Sequence, residues 1–359
     1  MNMLNIENKK TVIRLLSLII ITATLLLGAV ILTTIITVNE KIDTKNEINS
    51  ENPQENDNRP DNSIQVNADP SNTPPPTKPS RTSYIIGKSP DVITIDTEIR
   101  SKNTILVELD SYQSIVEKGA DDRMYPASMT KVMTLIVACE NIKDLNEKLT
   151  VTQEIADYMK DNDGSGAGLK IGESYMIEDL LYLISYQSDT IACLLIADHV
   201  AGSEEKFVAL MNKKANDLNL NGTHFTNCTG LYNEDHYTTC REMAAIMAYA
   251  LDNELAYKCL SSYRGRSMVV GGVNCTFYSN WYSGRNRFAD NPNLKTSKVV
   301  AGKTGYTDES GITLVSVAKG DNGKTYINVI VGLPVGSGLS EAESTKEVKY
   351  IYNTYIPAK

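Results

Sequence analysis

Two short strings hold the residues of this chain whose types and spacing could do chemistry. They are Ser128-Met129-Thr130-Lys131 and, far downstream, Lys303-Thr304-Gly305. A serine hydroxyl is a poor nucleophile until a base takes its proton, and an amine serves as that base only when neutral. On a helix, residues three apart stack on one face, so the Lys131 amine reaches the Ser128 hydroxyl. Ser128 follows Pro126-Ala127 and begins Met129 to Cys139, a helix apolar on nearly all sides and hence buried. Burial, the positive end of a helix and a second cation each depress a lysine pKa, and Lys303 is the candidate cation. The competing reading makes Ser128 an N-cap and Lys131 a surface charge. Against it, a lysine in a buried helix is costly unless partnered. Two other Ser-x-x-Lys strings lack this setting. Ser316 and Lys319 fall in a strand and point to opposite faces, and Ser203, ahead of Lys206, opens a surface helix as its cap.

Lys303 and Thr304 offer a charge and a hydroxyl to an anionic substrate terminus. Gly305 lets a ligand approach the backbone, and an edge strand there accepts an extended peptide as an added strand. Alone, the string reads more simply as a strand entering the turn Gly305-Tyr306-Thr307-Asp308. Paired with Ser128 and Lys131, it fits an enzyme that opens an amide bond beside a free carboxylate through a covalent acyl-serine.

The elements that must position these residues are legible in outline. Thr104 to Asp110 and Gln113 to Lys118 read as a hairpin. A helical block runs from about Ser128 to Asn253, with helical spacing in Ile177 to Tyr186, Thr190 to Ala201, Glu204 to Asp217 and Arg241 to Leu251. Strand patterns return at Ser297 to Thr304, Ile312 to Ala318 and Lys324 to Gly332, with Asn322-Gly323 as a hairpin turn. An amphipathic helix covers about Ser340 to Tyr355. Strands from both ends and helices between them predict an α+β layered fold. One antiparallel sheet is flanked by helices, an all-helical lobe is inserted between its strands, and a cleft lies between the lobes.

The N-terminal part is set apart. Residues 15–38 carry no charge and are long enough to cross a bilayer core of about 30 Å. Lys9, Lys10 and Arg14 precede them, so residues 1–14 are expected in the cytoplasm and everything after Val38 outside. A cleaved signal peptide is the rival reading, but its apolar region is normally shorter. Residues 39–83, rich in Asn, Asp, Glu, Pro and Ser, bury too little apolar surface to order themselves and read as a tether. As a coil it reaches about 35–40 Å. Residues 84–356 are the expected catalytic domain, outside a single-pass cell-membrane anchor.

A formal charge of -9 gives no sign of nucleic-acid binding. Three histidines, with no His-x-x-x-His or Cys-x-x-Cys spacing, argue against zinc; no metal and no cofactor are expected. The six cysteines permit disulfides in an exported domain, yet Cys139 and Cys193 sit in apolar helical stretches as plain buried thiols would.

These residues resemble a known family. Ser-x-x-Lys, a middle Ser-x-Asn and Lys-Thr-Gly define the penicillin-binding serine D,D-peptidases and the serine β-lactamases. The stretches Asp121 to Lys131 and Gly302 to Asp308 look like the low-molecular-mass D-alanyl-D-alanine carboxypeptidases, as do Gly168 to Glu173, His199 to Ser203 and Thr223-His224-Phe225. The resemblance implies a β-lactamase/transpeptidase-like fold and a peptidoglycan stem peptide ending in D-Ala-D-Ala as substrate, with β-lactams as inhibitors. By the same resemblance Ser128 attacks, Lys131 is the base, and Lys303 and Thr304 bind the terminal carboxylate. The backbone N–H groups of Ser128 and Tyr306 form the oxyanion hole. The middle motif falls at Ser188-Asp189-Thr190. Ser188 relays a proton toward the leaving group, and is also placed to cap the next helix. Thr190 stands where the family has Asn, and a hydroxyl donates one hydrogen bond where an amide donates two. Thr190→Asn is therefore expected to keep or raise acylation. Tyr278-Ser279-Asn280 is a competing middle motif at the wrong spacing. Gly164 to Gly168 resembles the loop at the cleft mouth, and His236 and Thr239 a loop near the lobe junction without assigned chemistry. No Glu-x-x-Leu-Asn string lies between Ser188 and Lys303, which counts against the alternative of a β-lactamase; a non-catalytic wall-binding homologue is the other alternative.

Overall fold

In the computed structural model, the structure describes residues 83–262, 265–281, 294–335 and 343–358. The chain divides into units Met1–Asn67 and Ala68–Lys359, and all described residues lie in the second. The expected membrane segment, and the tether except Ser83, lie outside them. Among the described residues no helix is long and apolar enough to cross a membrane.

A six-stranded sheet forms the platform, in the order β1-β3-β2-β10-β9-β8. Its strands are β1 (Gly87–Thr94), β2 (Asn103–Glu108), β3 (Gln113–Lys118), β8 (Ser297–Thr307), β9 (Gly311–Gly320) and β10 (Thr325–Leu333). The sheet is not wholly antiparallel as expected, because β1 pairs parallel to β3. β1 is mostly exposed and carries Pro90, features of an edge strand that no apolar alternation announces.

Strand side chains alternate between two cores. On β2, Ile105 and Val107 face the helices, with Ile327, Val329 and Val331 of β10. Leu106 faces the opposite layer, with Tyr326 and Ile330. That layer is closed by α8 (Glu343–Tyr355), whose Val348, Ile351 and Tyr352 are buried.

The helical side holds α1 (Lys131–Asn141), α2 (Gln153–Asp161), α3 (Ile177–Tyr186), α4 (Thr190–Ala201), α5 (Glu204–Asp217), α6 (Cys240–Asp252) and α7 (Glu254–Ser261). Short pairs β4 (Lys148–Thr150) with β5 (Ser174–Met176), and β6 (Arg266–Val270) with β7 (Val273–Phe277), decorate it. α4 is its central rod. Residues 190–197 are all buried, each large aliphatic side chain worth about 1.5–3 kcal/mol. The Asp189 side chain caps it by accepting from Ala192 N at 2.8 Å, and Gly202, at φ 77, ends it in the left-handed conformation that glycine tolerates. Ser203 caps α5 as expected, accepting from Lys206 N.

Among the described strands, β8 lies at a sheet edge and pairs with β9. Its register shifts between Val299 and Ala301. Val299 packs into the α8-side core, whereas Ala301 packs into the helical core. Residues two apart normally share a face, so this bulge reverses the parity of everything beyond it. The reversal turns Lys303 toward the helices rather than toward α8.

Candidate active site

Ser128 sits in a 3-10 turn, Ala127–Thr130, that leads into α1. The sequence placed it at the start of a continuous α-helix. In a 3-10 turn residues three apart eclipse, which sets Lys131 over Ser128 with Nζ to Oγ at 3.1 Å. Ser128 does not cap the turn, which follows Pro126 with no side-chain cap bond. Ala127 takes a left-handed φ of 48, costing a non-glycine residue about 1–2 kcal/mol. Its neighbours hold it there. The Pro126 carbonyl accepts from Met129 N and from Thr313 Oγ1. Two glycines press on the turn: a Cβ on Gly305 would stand 2.8 Å from Ser128 N, and one on Gly230 would stand 2.0 Å from the Ala127 carbonyl oxygen.

Lys131 and Lys303 are 2% and 1% exposed. No surface charge is buried so completely, so the competing reading of Lys131 fails. Burial holds the Lys131 amine below the usual lysine range, with Cys193, Cys228 and Asp189 opposing it. Lys303 is pushed well down, by burial first and then by the charge of Lys131. The repulsion disfavours charging both amines at once. Lys131 Nζ also donates to the Thr229 carbonyl. Lys303 Nζ donates to Ser188 Oγ and to the Thr304 carbonyl, each at 2.9 Å.

Ser188 occupies the break between α3 and α4, buried and at a left-handed φ of 56. The cap of α4 is Asp189, not Ser188. A second Asp189 oxygen accepts from Ala167 N at 2.6 Å and so fastens the glycine-rich loop to the same helix start. Thr190 is 1% exposed. Its N–H donates to the Ser165 carbonyl, and a Cβ on Gly164 would come within 2.8 Å of its hydroxyl. Its side chain thus lies against the loop. Tyr278-Ser279-Asn280 runs beside the break: Gln187 Nε2 donates to the Tyr278 carbonyl, and Asn280 N to the Tyr186 carbonyl. It braces α3, and Ser279 is fully buried.

Ser128 is thus bonded to Lys131 and Ser188 to Lys303, Gly305 packs against Ser128 N, and Thr304, partly buried, follows Lys303 on β8. Tyr306, further along β8, is half exposed, its hydroxyl donating to Asp308 at 2.6 Å. The sequence singled out Thr223-His224-Phe225 and His236 but gave the segment 224–238 no chemistry, and it did not single out Asn227 or Thr229 at all. His236 Nδ1 accepts from Thr226 N at 3.1 Å. Its proton is therefore on Nε2, which donates to Thr130 Oγ1 at 2.7 Å, inside the turn that carries Ser128. Burial lowers the pKa of His236 to about 3, so the imidazole stays neutral. The order Asn227-x-Thr229-Gly230 and the lone buried histidine are the available signals, and neither has meaning before the fold joins them to Ser128. The six cysteines are free thiols. Among the described residues, no cluster of acidic, histidine or cysteine side chains fits a metal.

The sequence profile of the D-alanyl-D-alanine carboxypeptidase family, peptidase S11, matches residues 89–334. The D-alanyl-D-alanine carboxypeptidase DacF of Bacillus subtilis is 32% identical over 256 residues, covering 71% of this chain and 63% of the relative. DacA of Escherichia coli is 30% identical over 298 residues, covering 77% of this chain and 69% of the relative. The match therefore spans roughly two thirds of these relatives' lengths. Penicillin binding protein 5 from Haemophilus influenzae superposes with a TM-score of 0.61 at 25% identity, over 72% of this chain and 71% of that one. A D-alanyl-D-alanine carboxypeptidase from Mycobacterium tuberculosis gives a TM-score of 0.61 at 22% identity, over 74% and 95%, a likeness of fold. The mixed α/β architecture is the one these proteins share.

Proposed function

From the chain's membership of the D-alanyl-D-alanine carboxypeptidase family, peptidase S11, we propose that it removes the terminal D-alanine from peptidoglycan stem peptides through an acyl-serine. The observation that carries this reading is the buried amine of Lys131 at 3.1 Å from the Ser128 hydroxyl. Neutral Lys131 takes the Ser128 proton as Oγ attacks the carbonyl between the two D-alanines. The negative charge that develops on the carbonyl oxygen meets the N–H groups of Ser128 and Tyr306, each such donor worth about 3–4 kcal/mol in the transition state. The C–N bond breaks, and the leaving amine takes the proton held by Lys131, relayed through Ser188. Water then attacks the ester and restores Ser128.

The leaving D-alanine carries a carboxylate. Placed at Lys303 and Thr304 it stabilises the charged form of Lys303, reversing part of the effect of burial. A charged Lys303 in turn keeps Lys131 neutral. Substrate arrival thereby readies the base. The extended peptide lies along the free edge of β8, and β-lactams acylate the same hydroxyl. The apolar run 15–38 holds the enzyme in the cell membrane, with its catalytic domain extracytoplasmic on the tether 39–83.

The full-length chain in detergent, incubated with a pentapeptide ending in D-Ala-D-Ala, is expected to release D-alanine, and Ser128→Ala to release none. Undiminished release by Ser128→Ala, or none by the wild type, overturns the proposal.

A further inference from the structure

Lys131 Nζ has two hydrogen-bond partners, Ser128 Oγ and the Thr229 carbonyl. The side chain of Thr190, in the family's amide position, faces the Gly164 loop instead. A base that must aim its lone pair at one hydroxyl needs a second fixed anchor, and here that anchor is a backbone atom. A carbonyl in a loop is fixed only as well as the loop is.

We propose that Asn227 is the positioning residue that fixes the Thr229 carbonyl, and through it the Lys131 base. The proposal rests on the acyl-serine reading above. Asn227 is 8% exposed. Its Oδ1 accepts from Gly230 N at 2.7 Å, Thr229 N at 3.1 Å and Thr229 Oγ1 at 3.1 Å. Its Nδ2 donates to the Leu231 carbonyl at 2.9 Å. One side chain thus ties down the peptide unit that holds the Thr229 carbonyl, through Gly230 N, and the unit before it, through Thr229 N. The adjoining bonds make the loop a cradle. Thr134, one turn past Lys131 on α1, donates to the Cys228 carbonyl at 2.6 Å, so α1 grips two successive carbonyls. Cys228 N donates to the Glu204 carboxylate at 3.0 Å. Gly230 packs on Ala127 and His236 on Thr130. The acceptor must sit two residues before the carbonyl and reach two N–H groups and a hydroxyl. Alanine supplies no such atom, whereas aspartate does.

The ionisable groups around Lys131 are Lys303 of β8, Asp189 and Cys193 at α4, and Cys228 and His236 of the cradle. None of them is altered by a change at Asn227. The Thr229 carbonyl stabilises the ammonium form of Lys131. Releasing it therefore lowers the pH at which the amine becomes neutral, while spoiling its aim.

The test follows acylation of the full-length chain by a fluorescent penicillin across pH, separating the binding constant from the acylation rate. Asn227→Ala is expected to leave penicillin binding within about threefold and to lower the plateau rate on the order of 100-fold, the usual effect of about 1 Å of misplacement. Its acid limb moves to lower pH. General loosening that admits water would move the limb upward instead. An unmoved or raised limb overturns the proposal, whatever the plateau does. Should Asn227→Ala not fold, Asn227→Asp keeps the threefold acceptor and brings a carboxylate near the amine. Its plateau then stays within about threefold of wild type and its limb moves upward. A folded aspartate variant with the wild-type limb overturns the proposal. Failure of Ser128→Ala to abolish labelling overturns the acyl-serine reading as well, whereas normal dependence on Ser128 with no response at position 227 defeats the positioning role alone.

Discussion

Replacing Gly230 by alanine is the sharpest test that the loop behind Ser128 sets its position. Gly230 has φ +82, and the new Cβ would fall 2.0 Å from the Ala127 carbonyl oxygen and 2.5 Å from its carbon. Both are backbone atoms of the residue before Ser128, so no flexible side chain can yield. Ordinary contact begins near 3.4 Å; more than an ångström must open between the loop and the turn that carries Ser128. The left-handed dihedral alone costs alanine about 1–2 kcal/mol, a melting shift of roughly 2–4 °C in a domain of this size. Moving Ser128 by about 1 Å relative to Lys131 adds a rate loss on the order of 100-fold. Gly323→Ala separates the two effects. Gly323 has φ +83 in the turn between β9 and β10, with nothing within 4 Å of its Cβ position. Both variants are expected to melt a few degrees lower, and only Gly230→Ala to label slowly with fluorescent penicillin. Wild-type labelling by a folded Gly230→Ala would refute the reasoning.

Other perturbations have equally direct readouts. Deleting Val300 removes the bulge between Val299 and Ala301 and turns Lys303 toward α8; labelling should vanish while circular dichroism still reports a folded sheet, and retained labelling would contradict the parity argument. His236 is neutral in the fold with a pKa near 3 against the ordinary 6.5. The unfolded chain therefore binds an extra proton below about pH 6.5, and stability falls toward pH 3 by up to about 1.4 kcal/mol per pH unit. Denaturant melts at pH 7 and 5 should show a steeper loss in wild type than in His236→Gln. Ser188→Ala takes away the hydroxyl that Lys303 donates to; D-alanine release should fall at least tenfold, with a smaller loss in penicillin labelling. Thr190→Asn is the test of the middle motif: acylation held or raised agrees with the sequence argument, and Gly164, already against the threonine hydroxyl, is where the longer side chain must find room.

Which parts of the molecule were legible follows from where their information lies. Helices α3, α4 and α5 begin and end at the residues their apolar spacing marks, because those faces pack on the core and Ser203 marks one start. Asp189 does the same for α4, where the sequence pointed to Ser188. β1 was hidden because Gly87 and Pro90 break its pattern and its side chains face water. The hairpin β6–β7 turns on Gly271-Gly272 at φ 61 and 74, a signal passed over beside the stronger strands downstream. The bulge at Val300 has no local mark. It is fixed by which of two cores each neighbour enters, a property of the whole sheet. At the candidate site, both lysines, Ser128 and Ser188 were readable from type and spacing. The Thr229 carbonyl was not, since every residue carries a carbonyl and only the fold brings this one to Lys131.

Mass spectrometry of the benzylpenicillin-treated full-length chain tests the account most directly. The expected result is one penicilloyl group per chain on the peptide containing Ser128, formed in wild type and absent when Lys131 is replaced by alanine. An adduct on any other side chain, or full labelling of Ser128 without the Lys131 amine, would contradict it.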